Sequence, residues 1–273
     1  MKSKIFYNSK LFHRKLRGLA LRVFNWIENN NNVDFSSNGE EYFIDALTRH
    51  YADKPDKHKQ LELFDVGANK GDYTQILLDK LSKQGSNARI NIFEPTKSCF
   101  RLLANRFASS TNVILNQAAV SDTIGSIQIY YDQKESVLAS LYQRNLSSFG
   151  ISLNQSEIVK TVRLDTYMKD NQIAHIHFMK VDIEGHEVAA FGGMGEYLSG
   201  DFVDFIQFEY GGANLDSKTS LMELYALFES RGFVVGKLMP RGIELRAYQP
   251  WMENFQYANY VAVSRQIAEK LQP

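Results

Sequence analysis

A single cysteine, Cys99, is present among the 273 residues of the chain. One thiol excludes an internal disulfide framework and any zinc site built from several cysteines. Net charge is also absent, because 31 basic residues balance 31 acidic ones, as in ordinary soluble globular proteins. No apolar run approaches the roughly 18–20 residues that cross a bilayer, and nothing resembles a signal peptide. We therefore expect a cytoplasmic protein with a full hydrophobic core.

The balanced total conceals a basic N-terminus. Residues 1–22 contain seven lysines and arginines and no acid, which leaves 24 basic residues against 31 acidic ones in the rest of the chain. Apolar residues recur there at helical spacing and predict a basic amphipathic helix: Leu16, Leu19, Ala20, Val23, Phe24 and Ile27. We expect this helix to dock on the main domain, within an N-terminal helical extension of residues 1–58. Peripheral membrane contact through residues 1–27, or contact with a partner protein, is the alternative.

The most informative stretch is residues 61–72. A short apolar run with one acid, Asp65, is followed by the turn Gly67-x-Asn69-x-Gly71 and then by helical spacing. This order predicts a buried strand, a tight turn and a helix. In an open α/β sheet, ligands bind beyond the carboxyl ends of the strands, and a glycine there lets a ligand approach the backbone. The turn is therefore a candidate ligand site.

The next predicted strand, residues 88–94, also ends on a carboxylate, Glu94, and is stopped by Pro95. Two successive strands of a βαβ unit, the second ending in an acid, suit an adenosine ligand whose ribose hydroxyls bond to that acid. The turn lacks the G-x-G-x-x-G pattern that positions a pyrophosphate, which argues against NAD. A ligand with a ribose but no phosphate fits better, and S-adenosylmethionine is the common one.

The rest of the chain alternates strands and helices. This order predicts a mostly parallel sheet with helices on both faces, closed by an antiparallel C-terminal hairpin. The pattern is interrupted over about residues 123–164, where two alternating strands flank the polar stretch 133–155. We predict an antiparallel insertion with a substrate-facing loop, inside a main domain of residues 59–273. This loop and the aromatic stretch 248–257 are our candidates for the substrate pocket.

Carboxylates end four of the predicted strands, and parallel pairing brings them to one edge of the sheet. They are Asp65, Glu94, Asp182 and Glu209, with Glu184 close by. Like charges crowded at such an edge are costly unless a cation or a ligand offsets them. The positive sulfur of S-adenosylmethionine would do so, and so would a divalent metal held by Asp182, Glu184 and Glu209.

The sequence resembles the FkbM-type S-adenosylmethionine-dependent methyltransferases over roughly residues 60–210. Five motifs carry the resemblance: Phe64-Asp-Val-Gly-Ala-Asn-Lys-Gly71, Phe93-Glu-Pro95, Asn116-Gln-Ala-Ala-Val-Ser-Asp122, Arg163-Leu-Asp-Thr166 and Lys180-Val-Asp-Ile-Glu-Gly-His-Glu187. The resemblance implies an α/β, Rossmann-like class I methyltransferase fold with a mostly parallel seven-stranded sheet. It also implies O-methylation of a hydroxyl on a sugar, a glycan or a secondary metabolite.

The resemblance further implies how the cofactor is held. The glycine turn would line its methionine part, Glu94 would hold the ribose, residues 119–121 would border the adenine, and Asp182 would lie beside the sulfonium. The expected cofactor site comprises Asp65, Gly67, Ala68, Asn69, Gly71, Glu94, Pro95, Ala119, Val120, Ser121 and Asp182.

We expect the acidic cluster to activate the acceptor, which is the molecule whose hydroxyl receives the methyl group. An aliphatic hydroxyl is a poor nucleophile until its proton leaves, so a base or a metal ion is needed. The candidate catalytic residues are Asp182, Glu184, His186 and Glu209. His186 titrates near neutrality and is chemically the best base, whereas Glu184 and Glu209 could hold a divalent ion.

Two functions of other classes stay open. One is a non-catalytic nucleotide-binding module that recruits a glycan or a protein partner through the basic helix. The other is a nicotinamide oxidoreductase. The turn lacks the third glycine of the G-x-G-x-x-G pattern, which argues against this function. A nucleic-acid partner is not expected, since the main domain is acidic and has no basic stripe beside the predicted site. The acceptor, its regiochemistry and the oligomeric state are not indicated by the sequence.

Overall fold

The computed structural model describes residues 11–53 and 60–271. The helices in this part of the chain are α1 Leu11–Ile27, α2 Glu40–Ala52, α3 Asp72–Gln84, α4 Lys97–Arg106, α5 Leu164–Asp170, α6 Glu187–Gly192, α7 Ala213–Ser217, α8 Leu221–Ser230 and α9 Arg265–Leu271. The strands are β1 Leu61–Val66, β2 Ala88–Phe93, β3 Val113–Asn116, β4 Ala119–Val120, β5 Gly125–Tyr131, β6 Gln155–Val162, β7 Ile176–Val181, β8 Val203–Tyr210, β9 Phe233–Met239, β10 Gly242–Leu245 and β11 Ala258–Ser264. Short 3₁₀ turns span Ser147–Phe149, Gly195–Tyr197 and Pro250–Met252.

The main sheet has eight strands in the order β10-β9-β11-β8-β7-β1-β2-β3. The five strands from β8 to β3 run parallel, whereas β11 is antiparallel to both β8 and β9, and β10 is antiparallel to β9. The predicted α/β fold with a mostly parallel sheet and an antiparallel C-terminal hairpin is confirmed. The expected count of seven strands is corrected to eight, because the four-residue strand β10 pairs at the edge.

The insertion forms a separate three-stranded sheet in the order β4-β6-β5. β5 pairs antiparallel with β6, as the alternating sequence predicts, and β4 pairs parallel with β6. The segment 112–120 contributes to both sheets, since β3 belongs to the main sheet and β4 to the insertion sheet.

The central strand β1 is buried on both faces. Phe64 and Val66 belong to one hydrophobic cluster, whereas Leu61 and Leu63 belong to another on the opposite face. Successive side chains of a strand point to opposite faces, so a strand covered on both sides reads as one apolar run. This double burial fixes the position of the glycine turn that follows β1.

Helix α2 is part of the main core. Its side chains Phe43, Ile44, Leu47 and Tyr51 are buried in the cluster that contains Leu61. Full burial of one such side chain is worth roughly 1.5–3 kcal/mol, so this helix contributes substantially to the stability of the domain. The domain boundary after residue 58 stays a prediction.

Helix α1 is largely exposed, with only Phe24 and Asn25 half-buried. None of its residues is buried, and Trp26 is 82% exposed. The expectation that this helix docks on the main domain by its apolar face is wrong. Among the described residues, no helix is long and apolar enough to cross a membrane.

Candidate active site

A cavity of about 840 Å³ opens beyond the carboxyl ends of the parallel strands. Its volume lies within the range of roughly 300–1,000 Å³ that is usual for small-molecule sites. Most of the predicted site residues line it: Gly67, Ala68, Asn69, Glu94, Pro95, Ala119, Val120, Asp182, Glu184, His186 and Glu209. The structure therefore brings together side chains from four strand ends, as parallel pairing requires.

The turn after β1 needs glycine at two positions. Gly67 has φ +89°, and a Cβ added there would overlap the backbone carbonyl of Asp182. Gly71 has φ +83°, and its added Cβ would lie 2.7 Å from a methyl carbon of Leu103. Both backbones adopt a conformation that L side chains rarely tolerate. The missing side chains let the turn pack directly against Asp182 after β7 and against Leu103 of α4.

Three predicted cofactor residues lie behind the cavity wall instead of lining it. Asp65 is wholly buried, and Thr74 donates a hydrogen bond to it with a separation of 2.5 Å. Burial raises the pKa of Asp65, although the nearby Lys180 ammonium opposes this. Gly71 packs against α4, and Ser121 bonds to His186. A part for these three residues in cofactor binding stays a prediction.

Glu94 is held in a fixed orientation at the end of β2. Its Oε2 accepts a hydrogen bond from the backbone amide of Asn69 at 3.0 Å. Its Oε1 accepts from the amide of Thr96 at 2.9 Å and from the Thr96 hydroxyl at 2.5 Å. Burial raises the pKa of Glu94 to about 7, although these hydrogen bonds oppose the shift. The glycine turn and Glu94 thus form one connected wall.

The carboxylates of Asp182, Glu184 and Glu209 converge on the opposite side, with one oxygen of each within 4.8 Å of the others. Lys180, which is buried, places its ammonium 2.7 Å from Asp182. Burial alone would raise the pKa of Asp182, but this ammonium lowers it below its usual value. Burial and the charges of Asp182 and Glu184 raise the pKa of Glu209 well above the ordinary range. These causes favour the protonated form of Glu209, whose side chain hydrogen-bonds to Asp182.

The insertion is tied to this cluster by Arg144. Its guanidinium forms an ion pair with Glu184, and its Nε lies 3.2 Å from Asp216. The Ser140 hydroxyl donates to the backbone carbonyl of Glu184 at 2.8 Å. Burial and the charge of Asp182 raise the pKa of Glu184 to about 8, although Arg144 opposes the shift. Sequence reasoning missed Arg144, because it lies in a polar loop without any spacing signal.

His186 is buried and faces neighbours with both ring nitrogens. Nε2 lies 3.0 Å from the Ser121 hydroxyl, and Nδ1 lies 3.3 Å from the Tyr142 hydroxyl. Burial lowers the pKa of His186, although the charge of Asp122 opposes this. The imidazole is therefore neutral at pH 7, and its nitrogens are engaged within the protein. This geometry favours the carboxylates over His186 as the base.

A buried polar network lies under the acidic cluster. Gln207 donates to Glu40 at 2.6 Å and accepts from the Tyr73 hydroxyl at 2.6 Å. Gln207 also donates to Asn259 at 3.2 Å, and Asn259 donates to the Tyr257 hydroxyl at 3.2 Å. Glu40 is the first residue of α2, so the segment before β1 supports the floor of the site. No sequence pattern indicated this connection.

Replacing Arg144 by alanine is expected to loosen the insertion. The side chain is 7% exposed, and its removal leaves Glu184 without its cationic partner. Breaking a buried pair costs about 3–5 kcal/mol, which the partial exposure of Asp216 reduces to about 2–3 kcal/mol. Limited proteolysis should cleave residues 133–155 roughly tenfold faster. The matched variant is Arg49→Ala, which removes an exposed ion pair on α2 and should leave cleavage unchanged; equal cleavage of all three proteins would contradict the prediction.

Sequence comparisons relate the chain to known methyltransferases. The family described as the methyltransferase FkbM domain matches residues 65–235. Hexuronic acid methyltransferase AglP from Haloferax volcanii is 27% identical over 184 residues, which span 64% of this chain and 70% of that protein.

Two solved structures are similar to the chain. Methyltransferase FkbM from Methylobacillus flagellatus KT is 14% identical with a TM-score of 0.47, covering 93% of this chain and 71% of that one. Precorrin-6y C5,15-methyltransferase from Geobacter metallireducens GS-15 is 9% identical with a TM-score of 0.42, covering 81% and 87%. Because the family match spans more than half of its length, the chain belongs to the FkbM methyltransferase family and is an S-adenosylmethionine-dependent methyltransferase.

Proposed function

We propose that this methyltransferase transfers a methyl group to a hydroxyl of a sugar, a glycan or a secondary metabolite. The observation that carries the proposal is the meeting of Asp182 and Glu209 with Glu184 at the wall of the cavity, where one carboxylate oxygen of each lies within 4.8 Å of the others. A half-buried pair of this kind suits removal of a proton from a hydroxyl, because its environment shifts the two pKa values apart.

The cavity fits the cofactor that the family uses. When bound, S-adenosylmethionine supplies a methyl carbon activated by a positive sulfur. Residues 67–69 offer the methionine part a wall of backbone amides with the small side chain of Ala68. Glu94 offers a carboxylate for the ribose hydroxyls. The walls at 118–120 are apolar and suit an adenine ring, and Asp182 offers negative charge near the sulfonium. We assign the cofactor contacts to these residues and to Pro95.

The acceptor side is assigned to two segments outside the cofactor wall. Side chains of the loop 133–155 and of residues 255–257 line the cavity, as do Val33 and Phe35. Aromatic rings suit the faces of sugar rings, and the related AglP protein is described as a hexuronic acid methyltransferase. A sugar acid is therefore the first acceptor class to test.

The base is assigned to the Asp182–Glu209 pair. An acceptor hydroxyl placed beside Asp182 can hydrogen-bond to a carboxylate that Lys180 keeps ionised. Most of the barrier reduction in such a displacement comes from holding the oxygen in line with the methyl carbon. A divalent cation on Asp182, Glu184 and Glu209 stays a prediction. Lys180 and Arg144 already offset part of the negative charge of these carboxylates.

The proposal is tested by methyl transfer from labelled S-adenosylmethionine to a panel of hexuronic acid glycosides, neutral glycosides and hydroxylated secondary metabolites. We expect a methyl ether on a hydroxyl, which survives mild alkali. A methyl group that mild alkali releases would belong to a methyl ester and would contradict the hydroxyl assignment. Cofactor binding with no transfer to any acceptor would favour the non-catalytic nucleotide-binding module.

A further inference from the structure

Helix α1 presents an apolar stripe to solvent. At about 100° per residue, six side chains fall within an arc of roughly 100°. They are Phe12, Leu16, Leu19, Val23, Trp26 and Ile27, each between 46% and 82% exposed. A stripe of this width normally faces a core or an apolar phase, and none of the described residues covers it.

The helix is attached to the domain by other side chains. The ring of Phe24, which lies outside the stripe, meets Trp251 edge to face at 6.0 Å. Directly after the helix, Glu28 accepts a hydrogen bond from Arg246 at 2.9 Å, and Asn30 accepts one from the buried Lys237 at 2.5 Å. The C-terminal end of α1 is therefore fixed, while its stripe is directed away from the domain.

Charge identifies the surface that this helix fits. Four exposed basic side chains accompany the stripe, and no acid occurs between residues 1 and 27. They are Arg14, Lys15, Arg17 and Arg22. At the same 100° per residue, Lys15 and Arg22 lie beside the edge of the stripe. From there an ammonium or guanidinium group can reach lipid headgroups. A tryptophan at the apolar–polar boundary is also typical of a bilayer interface.

We infer that α1 binds in the plane of an anionic lipid bilayer, with its apolar stripe in the headgroup–acyl boundary and its basic side chains on acidic headgroups. Helices with a basic face and a large exposed apolar face bind membranes in this way, and they bind more strongly as anionic lipid increases. No residue of α1 lines the cavity, and the inference does not depend on the proposed acceptor.

The test is sedimentation of the full chain with vesicles of phosphatidylcholine, with or without about one-third phosphatidylserine. We expect binding to the anionic vesicles that falls steeply with added salt. The decisive variants are Leu19→Ser and Leu21→Ser, because both leucines are 52% exposed but only Leu19 lies in the stripe. Leu19→Ser should weaken binding about tenfold, and Leu21→Ser should leave it within about twofold.

Equal effects of the two variants, or no sedimentation with anionic vesicles, would overturn the inference. Sedimentation velocity without lipid tests whether a second copy of the chain covers the stripe instead of a membrane. A dimer that Leu19→Ser dissociates would show that a second copy of the chain covers the stripe, and would overturn the membrane assignment. S-adenosylmethionine affinity should be the same in both variants and the natural chain, which distinguishes failure of this surface from failure of the methyltransferase site.

Discussion

Replacing Gly67 by alanine is expected to lower the melting temperature by roughly 6–12 °C, equivalent to about 3 kcal/mol, and to weaken S-adenosylmethionine binding about tenfold or more. The added Cβ would overlap the carbonyl of Asp182, which directly follows β7 and whose amide donates to the carbonyl of Val66 in β1 at 3.0 Å. The φ of +89° adds strain for any L side chain. The turn must therefore move away from β7, which separates the two walls of the cavity. Thermal unfolding and calorimetric titration measure the two effects.

The matched control is Gly85→Ala at the end of α3. Gly85 has φ +64°, but an added Cβ meets nothing within 4 Å. This variant should lose only about 1 kcal/mol from backbone strain and should bind the cofactor normally. Equal losses in the two variants would show that strain alone, and not contact with Asp182, makes Gly67 necessary.

Replacing Glu209 by glutamine is expected to reduce turnover about 10²–10⁴-fold while cofactor affinity stays within a few fold. Glutamine keeps the shape and can still donate to Asp182, but the pair can no longer release a proton. In the natural protein the rate should rise with pH as Glu209, whose pKa is raised by burial and by Asp182, becomes ionised. The rise should be absent in the variant. A pH–rate profile at saturating cofactor measures both.

Glu187→Gln is the control for general charge effects. Glu187 is buried and does not line the cavity, and its Oε1 accepts hydrogen bonds from the amides of Ile183 and Gly185. This variant should stay within a few fold of the natural rate. Assays with a chelator distinguish activation of the hydroxyl by a base from activation by a metal ion. An unchanged rate supports the base. A loss of rate that a divalent cation restores would assign the activation to a metal on the three carboxylates.

The glycine turn and the acids at the strand ends could be placed from the sequence because both depend on short-range patterns. An apolar run, a glycine and a following helix define where β1 ends, and parallel pairing then brings Asp182 and Glu209 to the same edge. The sequence could not reveal that Asp65 lies beneath the wall, since a strand-end acid can point to either side of the turn.

Long-range contacts account for what the sequence did not indicate. Arg144 and Glu40 reach the site from segments that are remote along the chain, and no local period records such pairs. The amphipathic pattern of α1 was identified, but periodicity alone does not tell which apolar surface a helix meets. Strand β10 was missed because four residues carry too little alternation to be separated from a loop.

The backbone amide of Asn31 donates to the carbonyl of Tyr257 at 2.8 Å, and its side chain donates to Gln256 at 2.6 Å. The early and late parts of the polypeptide thus meet over the cavity, and both lie outside the stretch shared with the family. Because we assign the acceptor side partly to these flanks, we expect that exchanging them changes acceptor selectivity while the proposed cofactor wall is left intact. A chimera that carries the paired flanks of a relative would inherit its preference only when both are transplanted together.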